Sequence, residues 1–308
     1  MPVQKVVPRP GVNKEVTSYA GEGRWYDCDK VRFRQGFPEK IGGWRRLSEY
    51  TFLGVCRSIF NWVTLGSLPL WGVGTNLKYY INSGGEYYDV TPIRATSSLG
   101  TDPVTTTSTS TTVQITDTAH GAAVGDFVTL ASLTGPVGGI PASDLNQEHQ
   151  ITNVVDADTS GAVVATAATS STTGGGASGT AEYQVNVGPD VPTPVTGWGS
   201  GGWSSGTWGT SAGSTEALRL WSQGNFGEDL IFGPRGGAIY FWDVSSGLTS
   251  RGTLLSAESG ASDVPTVQNR LFISDNRFVF CFGCNALGAS DLDPLLIRWS
   301  DQEDAVNW

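Results

Sequence analysis

Cys281 and Cys284 stand three residues apart, a spacing that serves redox and zinc chemistry. A zinc site needs a second pair at matching spacing, and Cys28 and Cys56 do not supply one. A redox pair wants a helix N-terminus behind its first thiol, whereas "RFVFCFGC" alternates as a strand does. The expectation is a pair of reduced, packed cysteines. The chain has only two histidines, His120 and His149. His120 precedes Gly121 in an expected turn, a structural position, so a serine-type triad lacks its base.

Carboxylate pairs of the glycosidase kind remain to be weighed. Glu228 and Asp229 are adjacent, and adjacent residues on a strand face opposite ways. Asp291 and Asp293 sit beside Pro294 in an expected loop, where solvated acids are common. Asp156 and Asp158 in "VVDADTSG" suggest calcium, but the glycine and terminal glutamate of a helix-loop-helix site are missing, and a β-turn explains them better. No phosphate-cradling loop is present in the sequence. The reading is that the chain is not an enzyme and has no catalytic residues, no metal site and no cofactor.

A different chemistry is available to Trp198, Trp203 and Trp208, which recur every five residues in a Gly/Ser background. That interval fits neither helix nor strand, and glycine and serine cannot bury indoles locally. They either pin a loop across the body or a neighbouring subunit, or stack on sugar.

The elements that would position these groups are strands. The 308 residues include 41 Gly, 11 Trp, 9 Tyr and 12 Phe, with 16% charged residues, which points to aromatic-rich strands joined by tight turns. No run has apolar residues at helical spacing, so the class is all-β. Residues 68–84, 229–247 and 270–284 share one plan: a short apolar strand, a tight turn, then an aromatic-rich strand. The turns near Gly233 and Asp275 lie 42 residues apart, close to the period of a propeller blade. A β-sandwich is the alternative. Residues 101–187 differ, being rich in Thr, Ser, Ala and Gly and nearly free of aromatics. They read as a small inserted β-barrel. The expected architecture is a β-propeller-like body (51–100 and 188–308), an inserted small β-barrel (101–187) and an N-terminal β-hairpin arm (1–50).

Charge is uneven. The net charge is −10, yet residues 1–50 hold ten Lys+Arg against six Asp+Glu, and the remaining 258 hold nine against 23. An acidic body argues against wrapping on DNA, which needs clustered cations, and suits a conduit whose wall repels phosphate. The start, "MPVQKVVPRPG", lacks the apolar segment of a signal peptide. No apolar stretch approaches the ~18 residues of a membrane span, and scarce cysteine fits a reducing compartment.

The richest segment is "GEGRWYDCDKVRFRQGFPEKIGGWRRL", residues 21–47. Val31, Phe33 and Gln35 point one way, Arg32 and Arg34 the other, as in a half-buried strand with a cationic face. Gly36, Pro38 and Gly42-Gly43 turn the chain back. The block "WYDCDKVRFRQGFPEKIGGW" resembles the N-terminal segment of the nozzle, tail-tubular or tail-stabilisation proteins of short-tailed bacteriophages. "TDTAHGAAVGDFV" resembles a module inserted in phage tail proteins, similar in fold to a β-barrel of ubiquitin-activating enzymes. The closing "IRWSDQEDAVNW" resembles an internal segment, so the chain is expected to be a piece of a longer protein or a short form.

The resemblance implies a structural virion protein made in the host bacterial cytoplasm. It would form a ring, a hexamer in the family, that attaches to the head-tail connector or adaptor, contacts tail fibre or needle proteins, and passes double-stranded DNA through its lumen during genome ejection. Arg24, Arg32, Arg34, Arg45 and Arg46 would form the docking surface. The competing expectation is a tail fibre or receptor-binding module that reads host surface polysaccharide through Trp198, Trp203 and Trp208.

Overall fold

The computed structural model describes residues 9–17, 19–43, 45–46, 48–186 and 220–308, in two compact units, Met1–Glu49 and Tyr50–Trp308. It is nearly all β, as the turn-rich, helix-poor sequence requires.

The first unit contains one hairpin, β1 (Val31–Arg34) and β2 (Phe37–Lys40), with Arg32 opposite Glu39. Gln35 and Gly36 between them both have positive φ, 51° and 85°, as a two-residue hairpin turn of matching twist demands. Val31 and Phe33 are half-buried, with Phe33 edge-on to Trp25 at 6.1 Å, while Arg32 and Arg34 are exposed. No described side chain of this unit is fully buried.

Among the described residues the second unit holds four sheets. In the first, β3 (Cys56–Val63), β4 (Pro69–Thr75), β5 (Tyr79–Ser83) and β6 (Glu86–Asp89) run as an antiparallel meander. Next come β7 (Ile93–Ser98), β8 (Val104–Thr106), β9 (Thr112–Thr116), β10 (Phe127–Ala131), β11 (Glu148–Val154), β12 (Thr159–Val163), β13 (Thr172–Gly174) and β14 (Thr180–Gln184). They form one eight-stranded sheet in the order β13-β8-β9-β12-β11-β10-β14-β7. A second meander follows, of β15 (Trp221–Phe226), β16 (Asp229–Pro234), β17 (Tyr240–Trp242) and β18 (Thr253–Leu254). The last sheet has three strands, β19 (Gln268–Ile273), β20 (Val279–Asn285) and β21 (Leu292–Trp299).

Period-two burial fixes which way each strand faces. Val113 and Ile115 of β9 point inward while Gln114 points out, and Val128, Leu130, Ile151 and Tyr183 meet them in a core confined to the eight-stranded sheet. A second core joins the first two meanders through stacked rings. Tyr79 and Phe232 lie 4.3 Å apart, Tyr79 and Trp221 5.1 Å, and Trp62 meets Trp242 edge-on at 6.4 Å. Offset and edge contacts of this kind add ~0.5–1.5 kcal/mol per pair beyond area burial. The third core joins the second meander to the last sheet, through Ile231, Leu271, Val279 and Cys281.

Glycine makes the aromatic core possible. A Cβ on Gly74 of β4 would stand 2.6 Å from Cδ1 of Trp221. Only a bare backbone lets that indole lie flat on the strand. Its Nε1 donates to the Thr75 carbonyl oxygen at 2.8 Å, so the buried ring leaves no donor unpaired.

Candidate ligand-binding cleft

β15 packs against both β3 and β19, so the first strands of the three small sheets gather side by side. A cavity of about 640 Å³ opens over them, lined from β3 by Arg57 and Phe60, from β15 by Gln223, and from β19 by Arg270 and Phe272, with Arg235 after β16. That volume falls within the ~300–1,000 Å³ of small-molecule sites. Arg270 and Phe272 stand two apart on one strand and so share a face; both are exposed. The Gln223 carbonyl oxygen accepts from the Tyr79 hydroxyl at 2.6 Å, which aims its NH₂ end away from the core. Neither Arg235 nor Arg270 meets a carboxylate among the described residues.

This wall combines two exposed guanidiniums, an amide and the exposed ring of Phe272, while Phe60 is half-buried and stacks on Trp62 at 5.9 Å. Guanidinium groups bind oxyanions through forked hydrogen bonds, aromatic rings stack on apolar faces, and the amide bonds a hydroxyl. Such a surface can bind and orient a ligand.

The residues singled out from sequence lie elsewhere. Arg32 pairs with Glu39 of its own hairpin at 3.2 Å, while Arg24, Arg34, Arg45 and Arg46 are exposed. Trp198, Trp203 and Trp208 fall outside the described residues. Cys281 and Cys284 lie on β20, both free and buried, and burial raises both thiols above their ordinary value. His120 is buried, its Nδ1 accepting from the Ala122 amide at 3.0 Å, and buried His149 lies 3.0 Å from the Leu145 carbonyl oxygen. Asp156 accepts from the Asp158 amide at 2.9 Å and Asp158 from the Ala119 amide at 2.8 Å, which makes a braced turn.

The candidate acids are also engaged with backbone. Glu228 accepts from the Leu65 amide, and Asp229 from the Val244 amide at 3.0 Å. Burial raises the Asp229 carboxyl, and the neighbouring Asp243 and Glu228 charges add to that. Asp293 accepts from the Leu295 amide at 2.9 Å, and both it and Asp291 are exposed. Among the described residues no three His, Cys, Asp or Glu side chains gather as metal ligands. No helix among them is long and apolar enough to cross a membrane.

Sequence reasoning missed Arg57, Gln223, Arg235 and Arg270. The one local signal is "NRLF", where Arg270 alternates with buried Leu271 ahead of exposed Phe272.

No protein-family profile matches the chain, and no curated protein matches it. Four chains of solved structures do. One is the endosialidase of phage phi92, 16% identical, over 80% of this chain and 36% of that one, with a TM-score of 0.26. This chain therefore spans about a third of that protein's length. The expectation that the chain is not an enzyme is corrected here, because the matched protein is by name an enzyme. At this level of likeness neither its activity nor its residues carry over.

Proposed function

We propose that the chain is a bacteriophage tail component that recognises a polysaccharide on the host surface. The observation that carries the binding role is the cleft itself, where exposed Phe272, Arg235 and Arg270 stand beside Gln223 in a wall of sugar-binding chemistry. The phage assignment rests on the resemblance of residues 25–44. The test is a glycan array of host surface polysaccharides followed by titration of the best binder. Saturable binding that weakens in Phe272→Ala supports the reading; an empty array retires it.

A second reading, a ring-forming nozzle subunit that conducts DNA from the head-tail connector, is favoured by one observation. The first unit buries no described side chain, and an isolated two-stranded hairpin is at best marginal in water. Such an element gains order by docking on another polypeptide, through Arg34 at its rim and the strand edge. In this reading the three small sheets are propeller blades about a central opening, and the eight-stranded sheet is an inserted module. Arg32→Glu with Arg34→Glu should then abolish attachment to the connector, and light scattering should give a ring mass. A monomer that still attaches would count against it.

A further inference from the structure

Of the nine Lys and Arg side chains beyond residue 50, three converge on one cleft, although that part of the chain carries 23 Asp and Glu. They come from three separate sheets. Arg57 has interactions of its own, and an anionic ligand offsets the positive charge that Arg235 and Arg270 add to one wall. The two exposed guanidiniums, Arg235 and Arg270, have no carboxylate partner among the described residues, so their forks are open to an oxyanion.

We infer that the cleft binds an acidic oligosaccharide, its carboxylate groups held by Arg235 and Arg270 and a ring face by Phe272. This rests on the polysaccharide reading above and names the ligand class of that site. Gln223 donates its NH₂ to a ring hydroxyl. Single-stranded nucleic acid also pairs guanidiniums with aromatic rings, but its affinity comes from a basic groove that tracks the backbone over many phosphates. This part of the chain carries 23 Asp and Glu against nine Lys and Arg. A short ligand with few charges fits that pattern, and a long polyanion is repelled by it.

The experiment is calorimetric titration of the full chain with tri-galacturonate, maltotriose and a thymidylate trimer at low and physiological salt. Tri-galacturonate should bind in a salt-dependent way, and maltotriose at least about tenfold more weakly. Arg235→Ala and Arg270→Ala should each weaken tri-galacturonate about tenfold. Both side chains are exposed, so the variants should keep the wild-type melting curve. Equal binding of the neutral and acidic trimers, or binding unchanged in both variants, would overturn the acidic class while leaving polysaccharide recognition standing. Binding of the thymidylate alone would overturn the class in favour of nucleic acid, and no binding by any of the three would overturn it together with the broader reading.

Discussion

Lys78 Nζ lies 2.5 Å from Oε1 of Glu148, an ion pair that ties the first meander to the eight-stranded sheet. The same ammonium is 2.7 Å from Asp89, and Arg251 of the second meander reaches Asp89 at 2.9 Å. Gln184 donates to the second Glu148 oxygen at 2.5 Å. Three sheets are thus pinned at one point by a lysine that is only 4% exposed. Lys78→Met removes the charge that compensates two partly buried carboxylates. It should cost about 3 kcal/mol, read as a fall in the urea midpoint at pH 7. A loss under about 0.5 kcal/mol would mean the cluster is solvated enough not to matter.

The cluster also sets an acid limit. Burial pushes the Asp89 carboxyl up, but the charges of Lys78 and Arg251 and the bonds from Lys78 and Thr91 outweigh it, so it lies below its ordinary 3.8. A carboxyl lowered in the folded state adds stability that is complete above its unfolded pKa and disappears as the pH falls through the folded one. The stability gap between wild type and Asp89→Asn should therefore stay constant from pH 7 to about 5 and close below about 4. A gap that does not shrink at all as the pH falls below 4 would refute the linkage.

Gly74 is required by its neighbour. A Val there would drive its Cβ into Trp221 at 2.6 Å, in a core with no slack. Gly74→Val should destabilise by about 1–3 kcal/mol and flatten the near-ultraviolet circular dichroism as the stacked rings part. Gly84, whose added Cβ would meet nothing within 4 Å, lies at φ 61°. Gly84→Asn should be nearly silent in the same assay, because asparagine tolerates that conformation.

Thiol reactivity separates packing from chemistry at the C-x-x-C. Cys281 and Cys284 are fully buried and their thiols are raised, so little thiolate is present at pH 7. Iodoacetamide should leave both unmodified in the native protein, label exposed Cys56 and half-buried Cys28, and reach all four cysteines in 8 M urea. Rapid native labelling of Cys281 would restore a redox role.

The residues by themselves determined the strands. Alternation over four to six residues and a turn residue between two runs are local signals, and they mark the pairs β1–β2, β4–β5, β16–β17 and β19–β20 without reference to the rest of the chain. The C-x-x-C likewise declared itself a strand feature through its own neighbours. Only the tertiary structure decided that Arg57, Arg235 and Arg270 meet. Their approach depends on the stacking of Tyr79, Trp221 and Phe232 over a bare Gly74, contacts between residues more than a hundred positions apart. No spacing within one segment encodes such a meeting, because side-chain packing between sheets, not the backbone period, sets which strands lie together. The same holds for Lys78 and Glu148, each an ordinary surface charge by type until three sheets close over them.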